Sequence, residues 1–230
     1  MVQVNNSPLT LRVKFYKKGK LQYISHLDLV RTMMKIIVRA KLPLWYTEGF
    51  NPKPKIVFAA PLSIGTESEC EFMDIRLTER ISEQEAMQRL NKNMTDEMQI
   101  TEAYYPEKKL TELKWLGYRI NVCAPEKEGL ADAVRGALSE HELSVMKKGK
   151  SGIREVDIKP LIKSADVAEI PGGAQIDCIL CADSASFLNP ENIINLLKDR
   201  VGVLSEEKMA LEYYSILRCS AYCSDMSEFR

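Results

Sequence analysis

The sequence has only two histidines and two tryptophans, and its 32 basic side chains are cancelled by 32 acidic ones. It has no apolar run near the roughly 20 residues that a membrane-spanning helix needs, and its start, MVQVNNSPLT, lacks the basic and apolar segments of a signal peptide. The expectation is a cytoplasmic protein with no membrane partner. Six cysteines in 230 residues are too few for a disulfide scaffold and read as free, mostly buried thiols. With 11 glycines and 10 prolines the chain is neither low-complexity nor fibrous. No P-loop, no GxGxxG after a strand, no GxSxG and no HExxH is present, which removes the common nucleotide, dinucleotide and hydrolase signatures.

What is there is a regular alternation of strand and helix patterns. LTLRVKFYKK alternates Leu11, Val13 and Phe15 with polar residues, as a half-buried strand does. Ser25, with Asp28 three residues on, caps a helix running from Leu27 to Ala40 without Gly or Pro. On its wheel Leu27, Val30, Met33, Met34, Ile37 and Val38 fall on one side, and Arg31, Thr32, Lys35 and Arg39 on the other. LPLWYTEGF, KIVFAAPL and ECEFMDIRL read as strands, with GFNPKP as a turn between the first two. Ser82 caps a helix over EQEAMQRLNKN, and MQITEAYY closes the unit as a strand.

After the charged stretch PEKKLTEL a similar order returns. It comprises strand KWLGYRINVCA, helix GLADAVRGALSE, strands LSVMKK, REVDIKP and AQIDCILCA, helix ENIINLLKDR and strand ALEYYSILRCS. The predicted class is α+β, with two tandem ferredoxin-like units whose antiparallel sheets are each covered by two helices. The expected domains are 1–106 and 115–230, joined by a linker at 107–114.

The neutral total hides a polarised chain. Residues 1–60 hold 11 Lys plus Arg against 2 Asp plus Glu. The block includes Arg12, Lys14, Lys17, Lys18 and Lys20 on the first strand and the turn after it, Arg31, Lys35 and Arg39 on the helix, and Lys53 and Lys55 in the loop. Such a concentration attracts polyanions. Nearby Tyr16, Tyr23, Trp45, Tyr46 and Phe50 supply the aromatic surfaces that single-stranded nucleic acids use. The bland alternative is a solvated face. A second basic element, MKKGKSGIR, sets Lys147, Lys148, Lys150 and Arg154 around glycines in an expected hairpin tip, a phosphate-binding arrangement or simply a turn. RNA is the more natural partner, because sheets of this class present stacking surfaces to unpaired bases.

Within GFNPKPKI, Pro52 and Pro54 flank Lys53 and hold its backbone, while Gly49 and Asn51 tolerate unusual backbone angles. PLSIGTES offers Ser63, Gly65, Thr66 and Ser68 as a hydroxyl-rich loop that either bonds phosphate or packs as a strand connection. His26 beside Tyr23, Ser25 and Asp28 superficially resembles acid–base machinery. Extrapolation of the wheel puts it on the apolar side, where a packed structural histidine is expected, and His141 has no supporting context. Cys178 with Cys181 and Cys219 with Cys223 invite a zinc or iron–sulfur reading. Residues three apart on a strand face opposite ways, however, so Cys178 is expected in the core and no metal site is assigned. Glu69, Glu71 and Asp74 are expected on a solvated strand. No cofactor is expected.

The stretch from Tyr23 to Ser68, carrying SHLD before a basic helix, then LPLWYTEGFNPKPKI, then PLSIGTES, resembles the bacterial radical-SAM-linked protein family, a domain of unknown function. VDIKPLI in the second half is a weaker echo. The resemblance implies an accessory partner of a radical SAM enzyme, and the chain itself has no CxxxCxxC for a SAM-binding cluster. The same region is distantly similar in architecture to the CRISPR repeat-processing endoribonucleases, which implies His26, Tyr23 and Lys53 as the first residues to test for metal-independent RNA cleavage. Their C-terminal glycine-rich loop has no clear counterpart here. The functional expectation is an RNA-binding accessory protein, with a metal-independent endoribonuclease and a protein-binding adaptor as alternatives.

Overall fold

A computed structural model describes residues 8–149, 152–205 and 211–230. Side chains at positions 147–149 and 153 lie outside the description. The chain divides into two compact units, Met1–Leu113 with Phe229–Arg230, and Lys114–Glu228. The class is α+β, with antiparallel strands and four α-helices among the described residues.

Unit 1 contains β1 (Leu9–Lys17), α1 (His26–Arg39), β2 (Ile56–Phe58), β3 (Thr66–Leu77), α2 (Glu83–Asn91) and β4 (Met98–Tyr104). The strands pair antiparallel in the order β4-β1-β3-β2. Alternation on β1 sends Leu11, Val13 and Phe15 into a core that also takes Met73, Ile75 and Leu77 of β3 and the buried stripes of both helices. Ser25 and Ser82 cap those helices: Ser25 Oγ accepts from the Asp28 N–H at 3.1 Å and donates to the Asp28 carboxylate at 2.7 Å, and Ser82 Oγ accepts from the Glu85 N–H at 3.1 Å. Each such cap is worth about 1 kcal/mol.

Unit 2 contains β5 (Trp115–Cys123), α3 (Leu130–Ser139), β6 (Ser144–Gly149), β7 (Gly152–Asp157), β8 (Ile162–Ile170), β9 (Gly173–Cys181), α4 (Glu191–Val201) and β10 (Tyr213–Tyr222). Strands β10-β5-β9-β8 pair antiparallel, and β6 with β7 forms a separate hairpin. Ala174, Ile176, Cys178 and Leu180 are buried in alternation along β9. Burial pushes the Cys178 thiol up to about 12, helped by the nearby Asp177 and Cys219.

Several elements differ from the sequence expectation. β8 is not among the expected strands, because Lys163, Asp166, Ala168 and Glu169 make it an exposed strand with little apolar alternation. LPLWYTEGF forms only isolated bridges at Leu44 and Tyr46 rather than a strand, since its backbone bonds alternate between β3 and the loop's own return leg. β3 starts inside PLSIGTES, so Thr66 and Ser68 are buried strand residues, not a hydroxyl loop. On α1 the buried residues are Leu29, Met33, Ile36 and Ile37, while Leu27 and Val38 are exposed. The sheet meets a stripe rotated from the one the wheel selects.

The expected solvated strand of carboxylates is also corrected. Only Glu69 is exposed; Glu71 and Asp74 are buried. Asp74 lies opposite Arg12 in the β1–β3 register and accepts from its Nε at 2.7 Å and its Nη2 at 3.1 Å. A buried carboxylate is tolerable where a guanidinium meets it in two-pronged geometry. Arg12 also lies 4.9 Å from the centre of the Phe229 ring, which ties the last residues of the chain to unit 1. Beside it, Tyr104 Oη and Arg12 Nη1 are buried without a hydrogen bond of ordinary geometry. Burial pushes the Tyr104 hydroxyl up to about 12, against the pull of the Arg12 guanidinium. Among the described residues no helix is long and apolar enough to cross a membrane.

Candidate functional site

The basic block of residues 1–60 does not reach the surface whole. Arg12 is fully buried against Asp74, Lys14 pairs with Glu102 at 3.2 Å, and Lys17, 2% exposed, donates to the carbonyls of Leu21 at 3.0 Å and Thr66 at 3.4 Å. Lys18 Nζ sits 4.7 Å from the centre of the Tyr16 ring. These cations serve the sheet and its edge. The cations of α1 and of the loop after it behave differently.

On α1, Arg31, Lys35 and Arg39 are all exposed, four residues apart and so on one face. Arg31 makes a loose pair with Asp28 at 3.4 Å. Lys35 and Arg39 have no hydrogen-bonded or charged side-chain partner among the described residues. The helix keeps its other side in the core, so its charged face is oriented by burial of Leu29, Met33, Ile36 and Ile37.

Residues 44–55 form a pinned hairpin. Trp45 N–H donates to the Arg76 carbonyl at 2.8 Å and Arg76 N–H to the Lys55 carbonyl at 3.0 Å, which fastens both legs to β3. Across the legs, Lys55 N–H donates to the Trp45 carbonyl at 3.0 Å, Tyr46 bridges Pro54, and Thr47 N–H donates to the Lys53 carbonyl at 2.9 Å. Lys53 N–H closes the pattern on Thr47 Oγ1 at 3.1 Å. Gly49 takes the left-handed region at φ 116°, which favours glycine; Asn51 does not enter that region. Lys53 and Lys55 are exposed and have no side-chain partner among the described residues. At the tip, Phe50 is 112% exposed, and Tyr46 is 43% exposed.

The start of α1 brings other candidates together. Gly65, left-handed at φ 83°, donates its N–H to the Gln22 carbonyl at 2.9 Å, so the PLSIGTES segment is tied to the turn that carries Tyr23. Tyr23 is 66% exposed. His26 is more open than the wheel suggests, though its ring still meets a core-packed aromatic. It is the first residue of the helix, exposed, with its ring edge-on to Phe58 at 5.3 Å. Neither His26 nor Tyr23 has a hydrogen-bonded side-chain partner among the described residues, so no paired acid and base is formed there.

In unit 2 the expected hairpin at MKKGKSGIR is β6–β7, with Gly149 opposite Gly152 and Lys147 opposite Arg154. Lys150 lies outside the described residues, and of Lys147 and Lys148 only the strand backbone is described. The cysteines are free, and among the described residues no three His, Cys, Asp or Glu side chains group as metal ligands. A cavity of about 420 Å³ with no signal in the sequence opens beside Thr10, Asp74, Arg76 and Lys109. Arg12 and Asp74, already held to each other, are part of its lining, whereas Tyr23, His26, Arg31, Lys35, Arg39, Lys53 and Lys55 are not.

The family model described as "Uncharacterized protein conserved in bacteria (DUF2344)" matches residues 10–190. No curated protein matches the chain. Among solved structures, an unknown protein from Galdieria sulphuraria is similar at 10% identity and a TM-score of 0.26, over 92% of this chain and 99% of that one.

Proposed function

The chain belongs to this family of uncharacterized bacterial proteins, and from that premise we propose that it is a cytoplasmic RNA-binding accessory protein that acts with a radical SAM partner in RNA modification or maturation. The radical SAM partner rests on the hallmark resemblance of residues 23–68. RNA binding rests on physical features of unit 1. The observation that carries it is the pinned hairpin holding Lys53 and Lys55 in solvent with no side-chain partner among the described residues, in the same unit as the exposed face of Arg31, Lys35 and Arg39. Unpaired cations release counterions on meeting a phosphate backbone without first breaking an ion pair.

We read the strand order β4-β1-β3-β2 of unit 1 as ferredoxin-like, and β10-β5-β9-β8 of unit 2 as the same plan with the β6–β7 hairpin inserted after its first helix. On such units the proposed interface is α1 and the hairpin rather than the sheet, whose cations are held in internal contacts.

The test is retention of RNA by the full-length protein across a salt series. Lys53→Glu and Lys35→Glu are expected to weaken retention and flatten its salt dependence, by about 0.7 in the log–log slope for each single-strand phosphate that is no longer neutralised. Unchanged binding in both variants overturns the proposal. Co-purification with a radical SAM protein but no RNA points instead to the adaptor reading. Cleavage of RNA in EDTA to 2′,3′-cyclic ends, abolished by His26→Ala, replaces the proposal with the endoribonuclease reading.

A further inference from the structure

We propose that Phe50 is a stacking anchor for an unpaired nucleobase, so that the hairpin of residues 44–55 selects single-stranded over duplex RNA. The inference rests on the RNA-binding reading and deepens it. A lone exposed apolar side chain is ordinary on a protein surface. Phe50 differs in three respects.

First, it is fully solvated, at 112% exposure, whereas the hairpin's other aromatics are only partly exposed. Second, the tip is shaped in advance. The paired legs at Trp45/Lys55, Tyr46/Pro54 and Thr47/Lys53, the left-handed Gly49 and the ring of Pro52 fix the chain on both sides of Phe50. With the backbone already fixed, only the side-chain rotamer of Phe50 has to be ordered on binding. Third, the hairpin that carries it is cationic. Lys53 and Lys55 are two residues apart and share one face of the return leg, and the one acidic residue at the tip is the exposed Glu48. An apolar ring on the same hairpin as two lysines with no partner among the described residues complements a ligand that joins a flat π surface to a negative backbone. That is an unpaired nucleotide. An apolar protein pocket would satisfy the ring and leave the lysines without partners. In a duplex the base faces are stacked on each other and out of reach of the ring.

Stacking of this kind is indifferent to base identity, because every base has a π face. The site therefore discriminates by strandedness and not by sequence.

The experiment measures binding of the full-length protein to a labelled 12-nucleotide oligo(U) and to a 12-base-pair RNA duplex over a salt series. Phe50→Ala is expected to weaken oligo(U) binding by roughly 5- to 150-fold, with the salt slope unchanged and duplex binding unaffected. Phe50→Trp is expected to retain affinity, and Phe50→Leu, apolar but without a π face, to behave like Phe50→Ala. The proposal is overturned if the wild type binds oligo(U) and Phe50→Ala binds it equally well, or if duplex binding falls by the same factor. Full affinity in Phe50→Leu also overturns it, since leucine has no π face on which a base can stack. If the wild type binds neither RNA, the RNA-binding reading itself falls, a result separable from all of these.

Discussion

The lysines and arginines of unit 1 meet two opposite fates. Two of those on β1 turn inward, Arg12 into a two-pronged pair with Asp74 and Lys17 into backbone carbonyls. Those on α1 and the hairpin stay outside, and Lys35, Arg39, Lys53 and Lys55 have no partner among the described residues. Side chains of one sign, close in sequence, thus divide into a group that serves stability and a group available for a ligand. Their burial makes the division, since a charge taken out of water must be paired whereas a solvated one need not be.

The sharpest way to break this division is at Asp74. Asp74→Ala strands Arg12 in the sheet with no counter-charge, and breaking a buried pair from one side costs about 3–5 kcal/mol. The expected result is a large drop in the denaturant midpoint, with any residual RNA binding by the folded fraction unchanged. An equal loss of stability in Lys53→Gln with Lys55→Gln would erase the distinction. For that double variant the expected stability change is within about 0.5 kcal/mol, while the salt slope of RNA binding falls by up to about 1.4, the equivalent of two single-strand phosphates.

How far the division is legible in the sequence depends on the residue. The helices and most strands are legible because alternation and caps are local: Leu11, Val13 and Phe15 mark β1, and Ser25 and Ser82 mark helix starts. The fate of Arg12 is not, because it depends on Asp74, 62 residues away, brought opposite only by the β1–β3 register. β8 escapes notice because its polar, exposed residues carry no alternation, and its pairing with β9 supplies the order instead. The rigid tip around Lys53 is legible from its prolines. The isolation of Phe50 is not, since nothing in the local pattern says whether a neighbouring element covers an aromatic. The hairpin of residues 44–55 and the β6–β7 hairpin both follow the first helix of their unit. That correspondence is visible only once the strand order is known.

Lys14 lies between the two groups. Its pair with Glu102 is part-exposed, with side chains 21% and 38% accessible, a setting in which ion pairs contribute about 0–1 kcal/mol. Lys14→Gln should therefore destabilise far less than Asp74→Ala and leave the salt dependence of RNA binding intact. A loss of RNA binding comparable to that of Lys53→Glu would move Lys14 to the ligand-facing group.

Tyr104 gives the smallest effect and the most selective one, because at neutral pH it should be silent. Its hydroxyl is buried beside Arg12 and makes no hydrogen bond of ordinary geometry, so Tyr104→Phe gives up only a loose contact with the guanidinium, and stability at pH 7 should change by no more than about 0.5 kcal/mol. Burial has raised its ionisation from 10.0 to about 12. The folded state therefore holds the phenolic proton after the unfolded chain has released it. The stability this contributes is complete below pH 10 and is lost as pH rises toward 12, where the unfolded chain binds fewer protons than the folded one. Tyr104→Phe lacks that loss, so the variant should gain on the wild type between pH 10 and 12 in denaturant midpoints measured side by side. Parallel curves over that range would mean that the Tyr104 hydroxyl titrates as in water, and the inward side of the division would then end at Arg12 and Asp74.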